Sequence, residues 1–125
     1  MKIVIADDSS VTRKIIIKML RASGINNEIL KADNGKTAME LVEANCKDIG
    51  LVLSDCNMPL MSGIEFIGAM AKNPQTANIP ILIISSDGAV ENIKQAYIVN
   101  SNVMGYLIKP VTPSQLKEKI GALLD

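Results

Sequence analysis

The sequence predicts an α/β fold: five parallel strands in one sheet, covered by helices on both faces. Three observations carry that expectation. Five short apolar runs rich in β-branched residues alternate with stretches of helical periodicity, the pattern of repeated βαβ units. Runs such as Ile81-Leu82-Ile83-Ile84 show no polar alternation, as expected of strands buried on both sides. Finally, residues able to do chemistry recur at the ends of the runs: Asp7-Asp8, Asp55, Ser85 and Lys109.

The expected strands are Lys2–Ala6, Glu28–Ala32, Ile49–Ser54, Ile81–Ile84 and Met104–Ile108. The first helix follows Ser9-Ser10 and puts Ile16, Met19 and Leu20 on its core face. Lys14, Lys18 and Arg21 share a second face at helical spacing and read as a solvated surface. The second helix starts near Asn34-Gly35 and runs to about Asn45. Ser62-Gly63-Ile64-Glu65 is a capping box that opens the third. The fourth covers roughly Ala89–Asn100. Thr112-Pro113-Ser114-Gln115 opens the fifth, with Pro at its first position, and Leu116, Ile120, Leu123 and Leu124 form its core stripe. Lys72–Pro80, with two prolines and two asparagines, reads as a surface loop.

A chain of 125 residues, 48% hydrophobic and 21% charged, suits one compact domain over residues 1–125 with no further output domain expected. Thirteen basic residues balance thirteen acidic ones, with no basic block to mark a nucleic-acid surface. No apolar stretch reaches the ~18 residues of a membrane span. The opening Met1-Lys2-Ile3-Val4-Ile5-Ala6-Asp7-Asp8 turns acidic too soon for a secretory signal. Cys46 and Cys56 lack zinc-site spacing and read as reduced thiols, so a cytoplasmic location is expected. The chain has no His. Imidazole-based catalysis and His-ligated metals are thereby excluded, and any metal must be a hard cation held by oxygen.

In a doubly wound parallel sheet all strand C-termini lie on one edge, so Asp7, Asp8, Asp55, Ser85 and Lys109 converge there. In the flavodoxin-like order 2-1-3-4-5, Asp55 is central. Clustered carboxylates repel one another unless a cation sits among them, and Mg²⁺ is the natural choice for an oxygen-only site. Lys109 can neutralise a phosphoryl oxygen, Ser85 can offer a hydroxyl to another, and Asp55 can act as the nucleophile of an aspartyl phosphate. Each piece alone has a plainer account: helix-cap material for Asp7-Asp8, a turn for Asp55, a loop or cap for Ser85, nothing special for Lys109-Pro110. Their joint occurrence at four strand ends is what the plainer accounts leave unexplained.

These residues, with Asn57-Met58-Pro59 after Asp55 and Gly105-Tyr106-Leu107-Ile108-Lys109-Pro110 at the fifth strand, resemble the receiver domain of two-component response regulators, closest in layout to stand-alone chemotaxis-type proteins similar to CheY. The likeness covers essentially the whole chain. It implies a (βα)₅ fold and Mg²⁺ held by Asp8, Asp55 and the backbone carbonyl of Asn57, with Asp7 acting through water. It also implies a phosphoryl group received on Asp55 from a phosphohistidine of a partner histidine kinase, and a cis Lys109-Pro110 bond. A switch is implied as well: Ser85 moves toward the phosphoryl group, Tyr106 turns inward, and the face built by the fourth helix, fifth strand and fifth helix gains affinity for a target. In a chemotaxis pathway that target could be a flagellar motor switch component. The chain is expected to be a monomer that catalyses only its own phosphorylation and dephosphorylation.

Some positions depart from the family pattern. Ser86 stands where Ala or Gly is usual, and Tyr97 is unusual on the fourth helix. Asn57 and Asp87 occupy positions that tune phosphoryl lifetime in the family. Asn102 replaces the Gly that usually ends the fourth helix, where a left-handed Asn could keep the cap. Val11, Ile15 and Ala22 form an apolar stripe on the first helix that could dock the phosphodonor or could simply pack. Other functions remain open at this level. One is a phosphorelay intermediate passing the group to a His-containing phosphotransfer protein. Another is a small Mg²⁺ phosphatase with an Asp nucleophile, although Asn57 breaks the Asp-x-Asp spacing such enzymes favour. An FMN-binding module would want a phosphate-cradling loop and aromatic flavin partners, and neither is present.

Overall fold

In the computed structural model, which describes residues 1–124 apart from the side chains of 122 and 124, strands and helices alternate along the chain. The elements are β1 (Lys2–Ala6), α1 (Ser10–Ala22), β2 (Ile29–Ala32), α2 (Gly35–Ala44), β3 (Ile49–Ser54), α3 (Gly63–Lys72), β4 (Ile81–Ser85), α4 (Val90–Val99), β5 (Val103–Ile108) and α5 (Pro113–Leu124). The strands form one parallel sheet in the order β2-β1-β3-β4-β5, as the sequence predicts.

The absence of polar alternation in the strands has a direct structural cause. Successive side chains of a strand point to opposite faces. Ile3, Ile5, Leu51, Leu53, Leu82 and Ile84 bury against Ile16 and Leu20 of α1 and Leu116 and Ile120 of α5. Val4, Ala6, Val52, Ile81 and Ile83 bury on the other face against Ala38 and Val42 of α2, Phe66, Ile67 and Met70 of α3 and Ala96 of α4. Both faces are dry, so both sets must be apolar.

Local chemistry places the helix starts. Ser9 caps α1 by accepting from the Thr12 N–H, and Asn34 caps α2 by accepting from Thr37. At α3 the reciprocal Ser62–Glu65 capping box is complete. Thr112 and Gln115 exchange the same pair of bonds before α5. Gly63 begins α3 directly under the β3 end, where a Cβ would run into the Asp55 carbonyl. That approach joins the helix to the residues after β3, and the Gly63 N–H donates to the Cys56 carbonyl at 2.8 Å.

Several expectations need correction. The β2 ladder starts at Ile29, although the Glu28 carbonyl still accepts from Ile3. β4 extends to Ser85, which pairs with Ile108, and β5 begins at Val103. α4 is shorter at both ends than expected. Leu123 is 41% exposed because the stripe rotates off the core in the last turn, and Leu124 lies outside the described side chains. Met19 is only half-buried at the rim of its cluster. The segment after Lys72 is not all surface: Thr76 is buried and donates to the Met70 carbonyl at 2.7 Å, and Ile79 is in the core. Asn102 does not supply a left-handed cap. α4 ends at an extended Asn100, whose side-chain oxygen accepts from the Asn102 N–H at 2.8 Å. Among the described residues the left-handed non-glycine position is Leu60, with φ 67°. The Lys109-Pro110 peptide is cis, as expected.

Candidate functional site

Register brings the acids together. Ala6 and Ser54 are partners across β1 and β3, so Asp7 and Asp55 follow them off adjacent strands at the same level. The Asp7 N–H donates to Ala32 and the Asp55 N–H to Ala6, which extends the sheet bonding by one residue and holds both backbones. Asp7 is 2% exposed and Asp55 7%, whereas Asp8 is open to solvent. One carboxylate oxygen of each of the three lies within 4.8 Å of the others.

The β4–β5 pairing brings the cation. Ser85 pairs with Ile108, and the Lys109 N–H donates to the Ser85 carbonyl at 2.9 Å. From there the Lys109 Nζ reaches 2.8 Å from Asp7 Oδ2 and 3.2 Å from Asp55 Oδ2. Burial alone would lower the Lys109 pKa, but the hydrogen bond to Asp7 and the charges of Asp55 and Asp7 outweigh it and raise the value. The ammonium is therefore charged and committed to the two buried carboxylates.

The remaining carboxylate oxygens are oriented by backbone. Asp7 Oδ1 accepts from the Ser9 N–H at 2.8 Å, and Asp55 Oδ1 accepts from the Cys56 N–H at 2.7 Å. The exposed Asn57 has its N–H 3.5 Å from the same Asp55 oxygen. Arg13, which no sequence pattern singles out, donates from Nη1 to the Asp7 carbonyl.

A second group of residues adjoins the acids. Ser85 is fully buried, and its Oγ accepts from the Asp87 N–H at 3.2 Å. The Tyr106 hydroxyl donates to the Asp87 carbonyl and lies 3.3 Å from Cys56 Sγ. Burial, with the Cys56 contact, raises the Tyr106 pKa, and burial raises that of Cys56, so both groups stay protonated at neutral pH. Asp87 also accepts from the Ala89 N–H and from Asn92 of α4. Asp7, Asp8, Asp55 and Lys109 thus form one cluster with Asn57 at its rim; Ser85 joins it through the Lys109 N–H, Tyr106 joins it through Cys56, and Asp87 ties Ser85 to Tyr106.

The Cys56 and Asp87 contacts lay outside sequence reasoning. Their partners are 50 and 19 residues away along the chain, and neither residue type announces such a link. The apolar stripe of α1 is free of the core: Val11, Ile15 and Ala22 are all exposed, and Ile15 helps line a roughly 200 Å³ groove with Met19, Lys109, Pro110 and Val111. No helix among the described residues is long and apolar enough to cross a membrane.

Comparison with known proteins agrees with this architecture. The family model for the response regulator receiver domain matches residues 3–121. Chemotaxis protein CheY-3 of Vibrio cholerae is 35% identical over 125 residues, covering 100% of this chain and 92% of that protein. Chemotaxis protein CheY1 of Helicobacter pylori is 34% identical over 124 residues, covering 99% and 97%. Among solved structures, CheY4 of Vibrio cholerae superposes with a TM-score of 0.83 at 26% identity over 98% of this chain and 97% of that one. A response regulator receiver domain protein from Clostridium thermocellum gives 0.84 at 28% identity, covering 98% and 93%. With the fold, the acid cluster and the family model in agreement over nearly its full length, the chain belongs to the response regulator receiver domain family.

Proposed function

We propose that this chain is a phosphorylation-switched signalling module in which Asp55 accepts a phosphoryl group from the phosphohistidine of a histidine kinase. The observation that carries the reading is the Lys109 ammonium, bonded at once to Asp7 and Asp55 on neighbouring strand ends. In the transfer an Asp55 carboxylate oxygen attacks phosphorus, the donor P–N bond breaks, and the departing imidazole keeps the electron pair and takes a proton. Lys109 is placed to neutralise charge on the transferred oxygens as negative charge builds there. The Cys56 N–H holds the nucleophilic carboxylate in one orientation, so little ordering remains for the reaction itself.

The donor set suits a hard divalent cation. Three carboxylates face one ammonium, so the cluster keeps an uncompensated negative charge, and the ligand atoms it offers are carboxylate oxygens. Asp8, Asp55 and the Asn57 carbonyl would hold Mg²⁺, with Asp7 acting through water. When bound, the ion would screen the incoming phosphoryl charge from the carboxylates and help orient that group.

Output would pass through Ser85 and Tyr106 to α4, β5 and α5. Val90, Tyr97 and Ile98 of α4 and Ile108 of β5 are exposed apolar residues on that side and suit a protein target. The naming of the two relatives as chemotaxis proteins favours a chemotaxis pathway, with a flagellar motor switch component as target. The exposed α1 stripe beside Lys109 favours docking of the donor there, with Ile15 (48% exposed) at its centre. A relay role, passing the group to a His-containing phosphotransfer protein, would use the same surface.

The test is direct. Incubated with Mg²⁺ and a small-molecule phosphodonor, the protein gains one phosphoryl mass, and Asp55→Asn, still folded, does not. Equal modification of Asp55→Asn overturns the assignment. Steady hydrolysis of unrelated phosphate esters would favour a phosphatase instead.

A further inference from the structure

We propose that Cys56 is a positioning residue for Tyr106, its thiol acting as a latch that holds the ring in the inward position and ties it to the residue next to Asp55. The proposal deepens the receiver reading and rests on it for the meaning of the Tyr106 position, though not for the contact itself.

Hydrogen-bond bookkeeping assigns the direction of the bond. A tyrosine hydroxyl has one proton, and that proton goes to the Asp87 carbonyl. The 3.3 Å contact with Cys56 Sγ therefore has the thiol as donor and the Tyr106 oxygen as acceptor. The thiol is 3% exposed and packed in the core beside Phe66, so water does not compete for its proton. Without it, the half-buried Tyr106 oxygen would keep its donor bond and lose the contact from sulfur, with the Ser85 hydroxyl as its remaining polar neighbour, which weakens the inward position against a solvated outward one.

The rest of Cys56 explains why its side chain is a firm anchor. Its N–H donates to Asp55 Oδ1, and its carbonyl accepts from the Gly63 N–H at the start of α3. The side chain also packs in the same core cluster as Phe66. One residue therefore orients the Asp55 carboxylate through its backbone and Tyr106 through its sulfur. Tyr106 in turn holds Asp87, whose N–H donates to Ser85 Oγ. A chain of contacts runs from Asp55 through Cys56, Tyr106 and Asp87 to Ser85, and Cys56 is its link to Asp55.

The ring signals of Tyr106 provide the readout, since the chain has only three aromatic residues. They are followed by NMR in the wild type, Cys56→Ala and Cys56→Ser, with Mg²⁺ and with or without beryllofluoride. In the unmodified protein, loss of one weak thiol hydrogen bond raises the outward-to-inward ratio of Tyr106 about twofold in Cys56→Ala. Cys56→Ser, which keeps a donor and nearly the same volume, returns the ring toward its wild-type position. In a Tyr106→Phe background, Cys56→Ala produces no further ring displacement. An unchanged Tyr106 signal in Cys56→Ala overturns the latch. So does an equal disturbance in Cys56→Ser, or full displacement in the Tyr106→Phe background. Intact mass after phosphodonor treatment of the wild type judges the receiver reading separately: no gain there removes the proposed function, while the ring comparison in unmodified protein still decides the role of Cys56.

Discussion

Asp7 and Asp55 leave the sheet side by side because the residues before them, Ala6 and Ser54, are register partners. Two buried carboxylates so placed repel each other, and the Lys109 ammonium between them is what makes the arrangement tolerable. Any divalent cation that enters must share those oxygens with Lys109. Replacing Lys109 with Met is therefore expected to tighten Mg²⁺ binding about tenfold, by removing a competing positive charge, while slowing phosphoryl uptake at Asp55 by at least about tenfold through loss of charge neutralisation. Calorimetric titration and intact mass measure the two effects. Weaker Mg²⁺ binding in Lys109→Met would mean that the ammonium helps to organise the metal site instead.

The exposed Asp8 makes a contrasting case. It adds negative charge to a cluster already held together by one ammonium. Asp8→Asn should raise the melting temperature slightly without metal and lower Mg²⁺ affinity about tenfold or more. Stabilisation by added Mg²⁺, large in the wild type, should then shrink in this variant. Thermal melts with and without Mg²⁺ test both halves.

Alkaline pH should weaken the fold through two groups. The folded-state pKa values of Lys109 and Tyr106 are both raised, so the native protein holds these protons more tightly than the unfolded chain does. Their contribution is complete below the unfolded values of about 10 and is lost as pH rises through the folded ones. Denaturant midpoints measured upward from about pH 8 should fall above about pH 10 in the wild type. The fall should be shallower in Lys109→Met and in Tyr106→Phe. Tyrosinate absorbance gives an independent check, because the latest-titrating tyrosine should vanish in Tyr106→Phe.

The residues that were legible in the sequence share a property: their placement follows from local pattern and sheet geometry alone. Strands buried on both faces leave unbroken apolar runs, and the edge of a parallel sheet gathers whatever follows them, so Asp7, Asp55, Ser85 and Lys109 could be brought together in advance. Cys56 was adjacent to the best-read residue and still opaque, because its side chain answers to Tyr106, 50 residues on. Leu123 was misread because helical periodicity does not say where the core stops. Asn102 was misread because its amide serves the chain crossing beneath it, donating to the Ala77 carbonyl, and not the end of α4.

Gly63 permits the contact on which the site is built. A methyl there would meet the Asp55 carbonyl and the Cys56 Cα, both backbone atoms that cannot rotate aside. Gly63→Ala must push α3 away from the β3 end, and a loss of about 3 kcal/mol or more is expected in denaturant unfolding. The Ser62→Ala change one residue earlier removes only the cap and should cost about 1 kcal/mol. Comparable losses in the two variants would show that α3 can slide without cost.

Leu60 makes the opposite prediction, that a substitution near the site will stabilise. Its φ of 67° is a left-handed conformation that a leucine adopts at a cost of roughly 1–2 kcal/mol. Its side chain is 81% exposed, so burial offsets little of that cost. Asparagine tolerates the same backbone well, and Leu60→Asn should raise stability by about 1 kcal/mol, read as a higher denaturant midpoint at unchanged slope. The loop also joins Asp55 to Gly63, and neither bond from Cys56 to these residues involves the Leu60 side chain. Phosphoryl uptake from a small-molecule donor should therefore be unchanged in Leu60→Asn. Uptake from a protein donor is the discriminating measurement: a loss confined to that donor would show that the leucine is kept, despite its strain, for contact with the partner.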